Sequence, residues 1–430
     1  MTFRTKFSLI LLSAGLAIYS VVGGWISTRA QQPANDPNAQ LRIFENVLQH
    51  IQDDYVDVPN MEKVRAGALR GLAYGLDPYS TYLTADQVKG YNENAKKSEI
   101  GIGAELSQVA SYLYVIAPMK GSPADEAGVR AGDIVEYIDG KATRDISLYD
   151  AKQLLNGQAG SEVKLRVLRA NAKPLTVTVK RGVFRAPAAE ARMEAGKIGI
   201  VKINSLGDGE AADVKTRVQD LLRQGAQKIV LDLRDTAGGA LSEGIAVSNL
   251  FIKDGTLAQT IGREGKSLKT FTADPKAAIF SGPVVALIDN GTAGAAEIIA
   301  SALLERNRGQ VVGEKSFGAG AEQQLFSLRD GDGLLLTTVK WASGSAKPFL
   351  GEDRARSGIT PSVEVKGPEV ADAVSPDDLT GNDSEDVVAK PAQPAEKPAA
   401  SDVKPVDDLQ MKKALELLRE NKSVATQRAA

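Results

Sequence analysis

The sequence predicts an α+β multidomain chain with a small helical N-terminal unit, a module of short strands and an α/β core. Three observations carry this. The 430 residues, 43% hydrophobic and 25% charged, have the length of two or three domains and the balance of a globular protein. Residues 98–182 are short alternating apolar runs punctuated by glycine, and beyond 182 strand-like and helix-like patterns alternate, with Gly-rich turns at the strand ends.

Composition narrows the chemistry before any motif is read. With 52 basic against 54 acidic residues, the net charge of −2 supplies no general attraction for nucleic acid. The absence of cysteine excludes disulfides, zinc–thiolate sites, iron–sulfur clusters and a Cys nucleophile, and His50 is the only imidazole. A Ser-His-Asp hydrolase is therefore disfavoured. Acidic residues are scattered without ligand spacing, so neither a metal nor an organic cofactor is expected.

In residues 1–30, Arg4 and Lys6 precede an uncharged, mostly apolar stretch, 8–27, the order that inserts into a membrane with its basic end left inside. The stretch suits a cleaved signal and an anchor equally. Both place the rest outside the cytoplasm, in the periplasm or on the outer face of an inner membrane, and with the balanced charge no nucleic acid is expected as a partner. Within a helical region spanning 38–97, Leu41, Phe44, Val47, Leu48 and Ile51 recur at helical spacing, with His50 as an ordinary helix residue. A second helix over 64–74 ends at Gly75, and Asp77-Pro78-Tyr79-Ser80 reads as a turn.

Next come Gly101-Ile102-Gly103-Ala104, the alternation through Leu113, Val115 and Ala117, Gly132-Asp133, the Asp139-Gly140 turn, a helix near 148–155 and the strands 163–168 and 175–179. This order of strands, glycine turns and one helix resembles a PDZ domain over 98–182. Such a domain captures an extended chain end: a Gly-rich loop offers N–H groups to a terminal carboxylate, and the peptide adds a strand at a sheet edge. The resemblance gives Gly101, Ile102, Gly103, Ala104 and Glu105 the peptide-binding role, with the strand from Glu105 as the docking edge.

In the core, residues 183–366, strands over 198–203, 228–233 and 283–288 alternate with helices over 211–222 and 293–304. This predicts a sheet with parallel pairs and a site at the strand-end turns. Leu231-Asp232-Leu233-Arg234 running to Gly238-Gly239, Asn290-Gly291-Thr292-Ala293 with Glu297, Gly313 to Gly318, Thr337-Thr338 and Gly358-Ile359-Thr360-Pro361 occur in the order seen in carboxyl-terminal processing, or tail-specific, proteases. The chain resembles that family over 41–365. The resemblance implies an α/β core related to crotonase-like and Clp-protease-like folds, and serine endopeptidase chemistry by a Ser/Lys dyad with a PDZ gate.

The family's nucleophile is the fourth residue of Gly-Ser-Ala-Ser-Ala-Ser-Glu and its lysine follows Phe-Gly in Phe-Gly-Lys-Gly. Here those positions hold Gly294 and Ala319. Glycine has no oxygen to attack a carbonyl and alanine no amine to take a proton, so dyad catalysis is not expected. By the same resemblance Gly238, Gly239 and Ala295 would line the oxyanion side and Gln323 would orient the lysine. Thr292 with Lys315 is the fallback pair; Ser316 adjoins Lys315 and would point to the opposite face of a strand.

Residues 367–405 are rich in Asp, Glu, Ala, Pro, Ser and Lys and read as a linker. A short amphipathic helix follows over 406–422, with docking on the core, a dimer contact and a solvated helix all open. The expected function is a peptide-binding pseudoprotease or adaptor. Its partners would be extended or C-terminal segments of envelope proteins, an active paralogue or a second copy. The alternatives are a working serine-type endopeptidase with a non-standard nucleophile and a structural assembly subunit.

Overall fold

The computed structural model describes residues 37–94, 100–144, 146–169, 172–367 and 407–427. The apolar stretch 8–27 and most of the linker lie outside these. The chain divides into two units, residues 1–68 and 69–430. In the first, helix α1 (Pro37–Asp54) exposes its apolar residues, Leu41 at 63%, and His50 Nδ1 lies 2.6 Å from Asp54 Oδ2 on its surface. Helix α2 (Met61–Tyr74) runs across the division.

In the second unit, strand β1 (Thr81–Leu83) and helix α3 (Ala85–Asn94) lead into a six-stranded sheet. Its strands are β2 (Ala104–Val109), β3 (Tyr112–Pro118), β4 (Ile134–Ile138), β5 (Lys141–Ala142), β6 (Glu162–Leu168) and β7 (Leu175–Lys180). Helix α4 (Pro123–Glu126) starts on Ser122, whose hydroxyl accepts from Asp125 N, and α5 (Leu148–Leu155) is capped the same way by Ser147. The sheet order is β2-β3-β4-β6-β7, so β2 is an open edge. Alternation divides its side chains: Leu106 joins the apolar core under α5, whereas Val109 faces the other way.

A second six-stranded sheet centres the core, with β8 (Glu190–Glu194), β9 (Ile198–Lys202), β10 (Lys228–Asp232), β13 (Val284–Ile288), β14 (Gly309–Gly313) and β17 (Val363–Glu364). In the order β17-β14-β13-β10-β9-β8 all pairs are parallel except β8 on β9. Strand β10 is buried along its whole length, which is why its sequence is nearly continuous in apolar residues. Helices α6 (Glu210–Arg223), α7 (Leu241–Asn249) and α8 (Ala295–Glu305) cover one face. The core also carries an antiparallel sheet in which β16 (Gly333–Ser343) pairs with β1, β15 (Ala321–Ser327) and β11 (Thr256–Ile261), and β11 with β12 (Ser267–Thr272).

The C-terminal helix α9 (Leu409–Gln427) docks on the opposite face of the core sheet, the first of the placements the sequence left open. Met411, Ala414 and Leu418 pack on Ile198, Val230 and Leu287. At its start Arg234 holds two carboxylates at once: Nη2 donates to Asp232 Oδ2 at 2.7 Å and to Asp408 Oδ2 at 2.9 Å. Midway along it Lys228 Nζ donates to the Leu418 carbonyl. Leu418→Ala is expected to cost about 2–4 kcal/mol through loss of buried surface and the cavity left behind. An unchanged denaturation midpoint would show that the helix is not part of the folded core.

Candidate functional site

The site forms where two strand-end turns and one loop meet at the start of α8. The turn after β13 is built on Asp289, whose Oδ1 accepts from Asp235 N, Gly291 N and Thr292 Oγ1, each at 3.0 Å. Desolvation and the neighbouring Asp235 carboxylate push the Asp289 carboxyl up to about 7. The turn is stitched to the one after β10 by Ala293 N donating to Thr236 O at 3.0 Å and by Thr292 Oγ1 donating to Leu233 O at 2.9 Å. The Thr292 hydroxyl is thus buried and engaged with Leu233 and Asp289, while Lys315 Nζ donates to the carbonyls of Arg354 and Ala355. No hydrogen bond joins Thr292 to Lys315. Ser316 lies in a loop after β14 and not on a strand, and its hydroxyl is buried.

Gly294, the N-cap of α8, has φ +62° and ψ −116°, a conformation that only glycine adopts without strain. A Cβ there would stand 3.4 Å from Gly238 O, so a side chain would have room but not a relaxed backbone. Ala295 N donates to that same Gly238 carbonyl at 3.4 Å. In this arrangement the Ala295 N–H is turned to the protein and not to an open hole. The N–H groups of Gly238 and Gly239 have no hydrogen-bond partner among the described residues.

Glu297 organises the site. It is fully buried and accepts four hydrogen bonds: Oε1 from Ser316 Oγ at 2.5 Å and Gly318 N at 2.9 Å, Oε2 from Gly294 N at 2.8 Å and Ala319 N at 2.9 Å. One carboxylate therefore holds the two positions to which the resemblance assigns nucleophile and lysine side by side. Burial pushes its pKa up to about 7 against the pull of these donors. Sequence reading saw Glu297 only as part of a motif. A Glu three residues after a helix N-cap is half of a capping box, which was the available signal.

Ala319 is 7% exposed, and its methyl lies in an apolar seam with Phe317 and Ala293 on one side and Val109, Tyr114 and Ile116 of the β2–β3 sheet on the other. The Tyr114 and Phe317 rings stack with centroids 5.8 Å apart. The outer face of the first sheet thus lies directly against the lysine position. From the same face Glu105 reaches the core, with Oε2 3.1 Å from where a Cβ on Gly238 would stand. Gln323 Nε2 donates to Thr337 Oγ1 at 3.3 Å, and Thr337 Oγ1 to Asp77 Oδ1 at 3.0 Å. Gln323 is therefore tied to the Asp77 turn, and its amide makes no contact with Ala319 that a hydrogen bond would mark.

The loop Gly101–Ala104 precedes the β2 edge. Gly103 has φ +72°, and a Cβ on it would lie 2.5 Å from the Ser122 Cβ, so this backbone requires glycine. Ile102 and Gly103 use their carbonyls to accept from Ala124 and Met119, while their N–H groups have no partner among the described residues.

A model of peptidase family S41 matches residues 197–365, and a PDZ-domain model matches 114–169. The carboxy-terminal processing protease CtpA of Bacillus subtilis (strain 168) is 30% identical over 368 residues, which cover 85% of this chain and 78% of its own. The carboxy-terminal-processing protease of Bartonella bacilliformis is 30% identical over 420 residues, 95% of this chain and 94% of its own. Among solved structures, a photosystem II D1 C-terminal processing protease is similar in fold, with a TM-score of 0.62 at 24% identity, covering 79% of this chain and 92% of that one. Together with the PDZ-like sheet and the parallel core described above, these likenesses show that the chain belongs to the carboxy-terminal processing protease family, serine peptidases of family S41.

Proposed function

We propose that this protein binds the carboxyl-terminal segments of other exported proteins through its PDZ domain and does not cleave them. The observation that carries the reading is the pair Gly294 and Ala319, held together on Glu297 with no hydroxyl and no amine between them. A peptide carbonyl brought to this point meets no nucleophile and no base. We also place the folded part outside the cytoplasm, on the strength of Arg4, Lys6 and the apolar stretch behind them. A second copy or an active paralogue is a further partner of this reading.

Turnover of an unstructured protein tests it, with the purified natural chain beside Gly294→Ser/Ala319→Lys. The natural chain is expected to be inert and the restored one, once shown to be folded, to cleave. Cleavage by the natural chain, together with labelling by a hydroxyl-directed acylating probe that is lost in Thr292→Ala, would replace this reading with that of a working endopeptidase. The buried, doubly engaged Thr292 hydroxyl speaks against that result.

A further inference from the structure

We propose that Glu105, paired across the groove with Lys152, makes the PDZ site selective for carboxyl-terminal segments carrying a basic residue in the penultimate position. The inference rests on the reading of that groove as a peptide site. A ligand strand added along β2, with its carboxylate at the Ile102 and Gly103 N–H groups, alternates its side chains between the two faces of the sheet. Its terminal side chain falls on the Leu106 face, in the apolar cluster with Ile102, Ala151 and Leu155. The penultimate side chain then falls on the opposite face, beside Glu105.

Glu105 and Lys152 stand on the two walls of the groove, β2 and α5, with Nζ 3.7 Å from Oε1. A strand laid between the walls parts them. The side chain of Glu105 is 24% exposed and that of Lys152 is 42%, so the lysine recovers water on release more fully than the carboxylate does. Among the described residues Lys152 is the one cation that pairs with Glu105. Tyr79 is held protonated by burial and then by the charges of Glu105, Glu297 and Asp77. A ligand ammonium or guanidinium replaces Lys152 on Glu105, whereas a ligand carboxylate adds like charge.

The test is fluorescence anisotropy on the full-length protein with labelled ten-residue peptides ending in Val. The peptides are identical except for Lys, Ala or Glu at the penultimate position, with an amidated Lys peptide as control. The expected order is Lys, Ala, Glu, with about tenfold between the extremes, shrinking with added salt. Glu105→Gln should bring the three within about twofold of one another. Lys152→Ala, which removes the competitor and leaves Glu105 in place, should tighten the Lys peptide most. A flat order in the natural protein, a preference for Glu, or a Lys preference unchanged in Glu105→Gln overturns the charge selection while leaving the groove a peptide site. Absence of binding by every peptide, or equal binding of the amidated one, overturns the groove reading and the selection with it.

Discussion

Ala319→Lys is expected to lower stability by about 3 kcal/mol or more and to loosen the contact between the PDZ sheet and the core. The methyl of Ala319 is enclosed by Val109, Tyr114, Ile116, Ala293 and Phe317, none of which offers a carboxylate to pair with an ammonium. An unpaired charge in such a place costs several kcal/mol, and the side chain either sheds its proton or forces the seam apart to reach water. Ala319→Met supplies comparable bulk without charge and isolates the electrostatic part. The measurements are urea denaturation and proteolytic sensitivity of the 182–189 connection, beside the natural chain. Equal stability of the lysine variant would mean that the seam is open to water. Gly294→Ser should add about 1–3 kcal/mol of its own, because serine has to adopt φ +62° and ψ −116°. The two positions share Glu297 Oε2, so their effects will not be simply additive. A strained serine and a desolvated lysine are what dyad chemistry requires, and glycine and alanine at these positions relieve both demands.

Glu297→Gln is expected to destabilise by about 2–5 kcal/mol without changing the volume of the site. All four groups around the carboxylate are donors, so whichever way an amide is turned, its NH2 faces two of them. Ser316 cannot resolve the conflict by rotating freely, since its oxygen already accepts from Ile359 N at 2.7 Å. The effect also depends on pH. With a folded-state pKa near 7, above that of an unfolded Glu, the folded chain binds the extra proton between about pH 4.5 and 7. Stability therefore falls as pH rises through that window. The glutamine variant should show a shallower slope between pH 5 and 8, though not a flat one, because Asp289 carries a shift in the same direction. Parallel slopes for the two proteins would remove Glu297 as a titrating group.

The parts of this fold that could be read from the chain are those whose constraint is local. The PDZ segment was legible because Gly103, Gly132 and Gly140 take positive φ in turns of defined geometry. Strands β10 and β13 were legible because burial on both faces demands an unbroken apolar run. The antiparallel sheet was not, since β1 is three residues long and nearly every residue of β12 is exposed, leaving no period to detect. The apolar stripe Met411, Ala414 and Leu418 announces a helix with a partner but is the same whether that partner is this core or another surface.

The residue types fix which atoms are present at the site: a glycine where a hydroxyl would be needed, an alanine where an amine would be needed, and a Gly-rich loop able to bare its N–H groups. Packing between distant segments sets what surrounds them. Glu297 draws its four donors from two stretches of chain brought to one oxygen pair, and Ala319 is dry because a face of a different sheet closes over it. Identity of an atom is written residue by residue. Desolvation and charge partnership depend on which distant segments pack together, and no single stretch of chain encodes that.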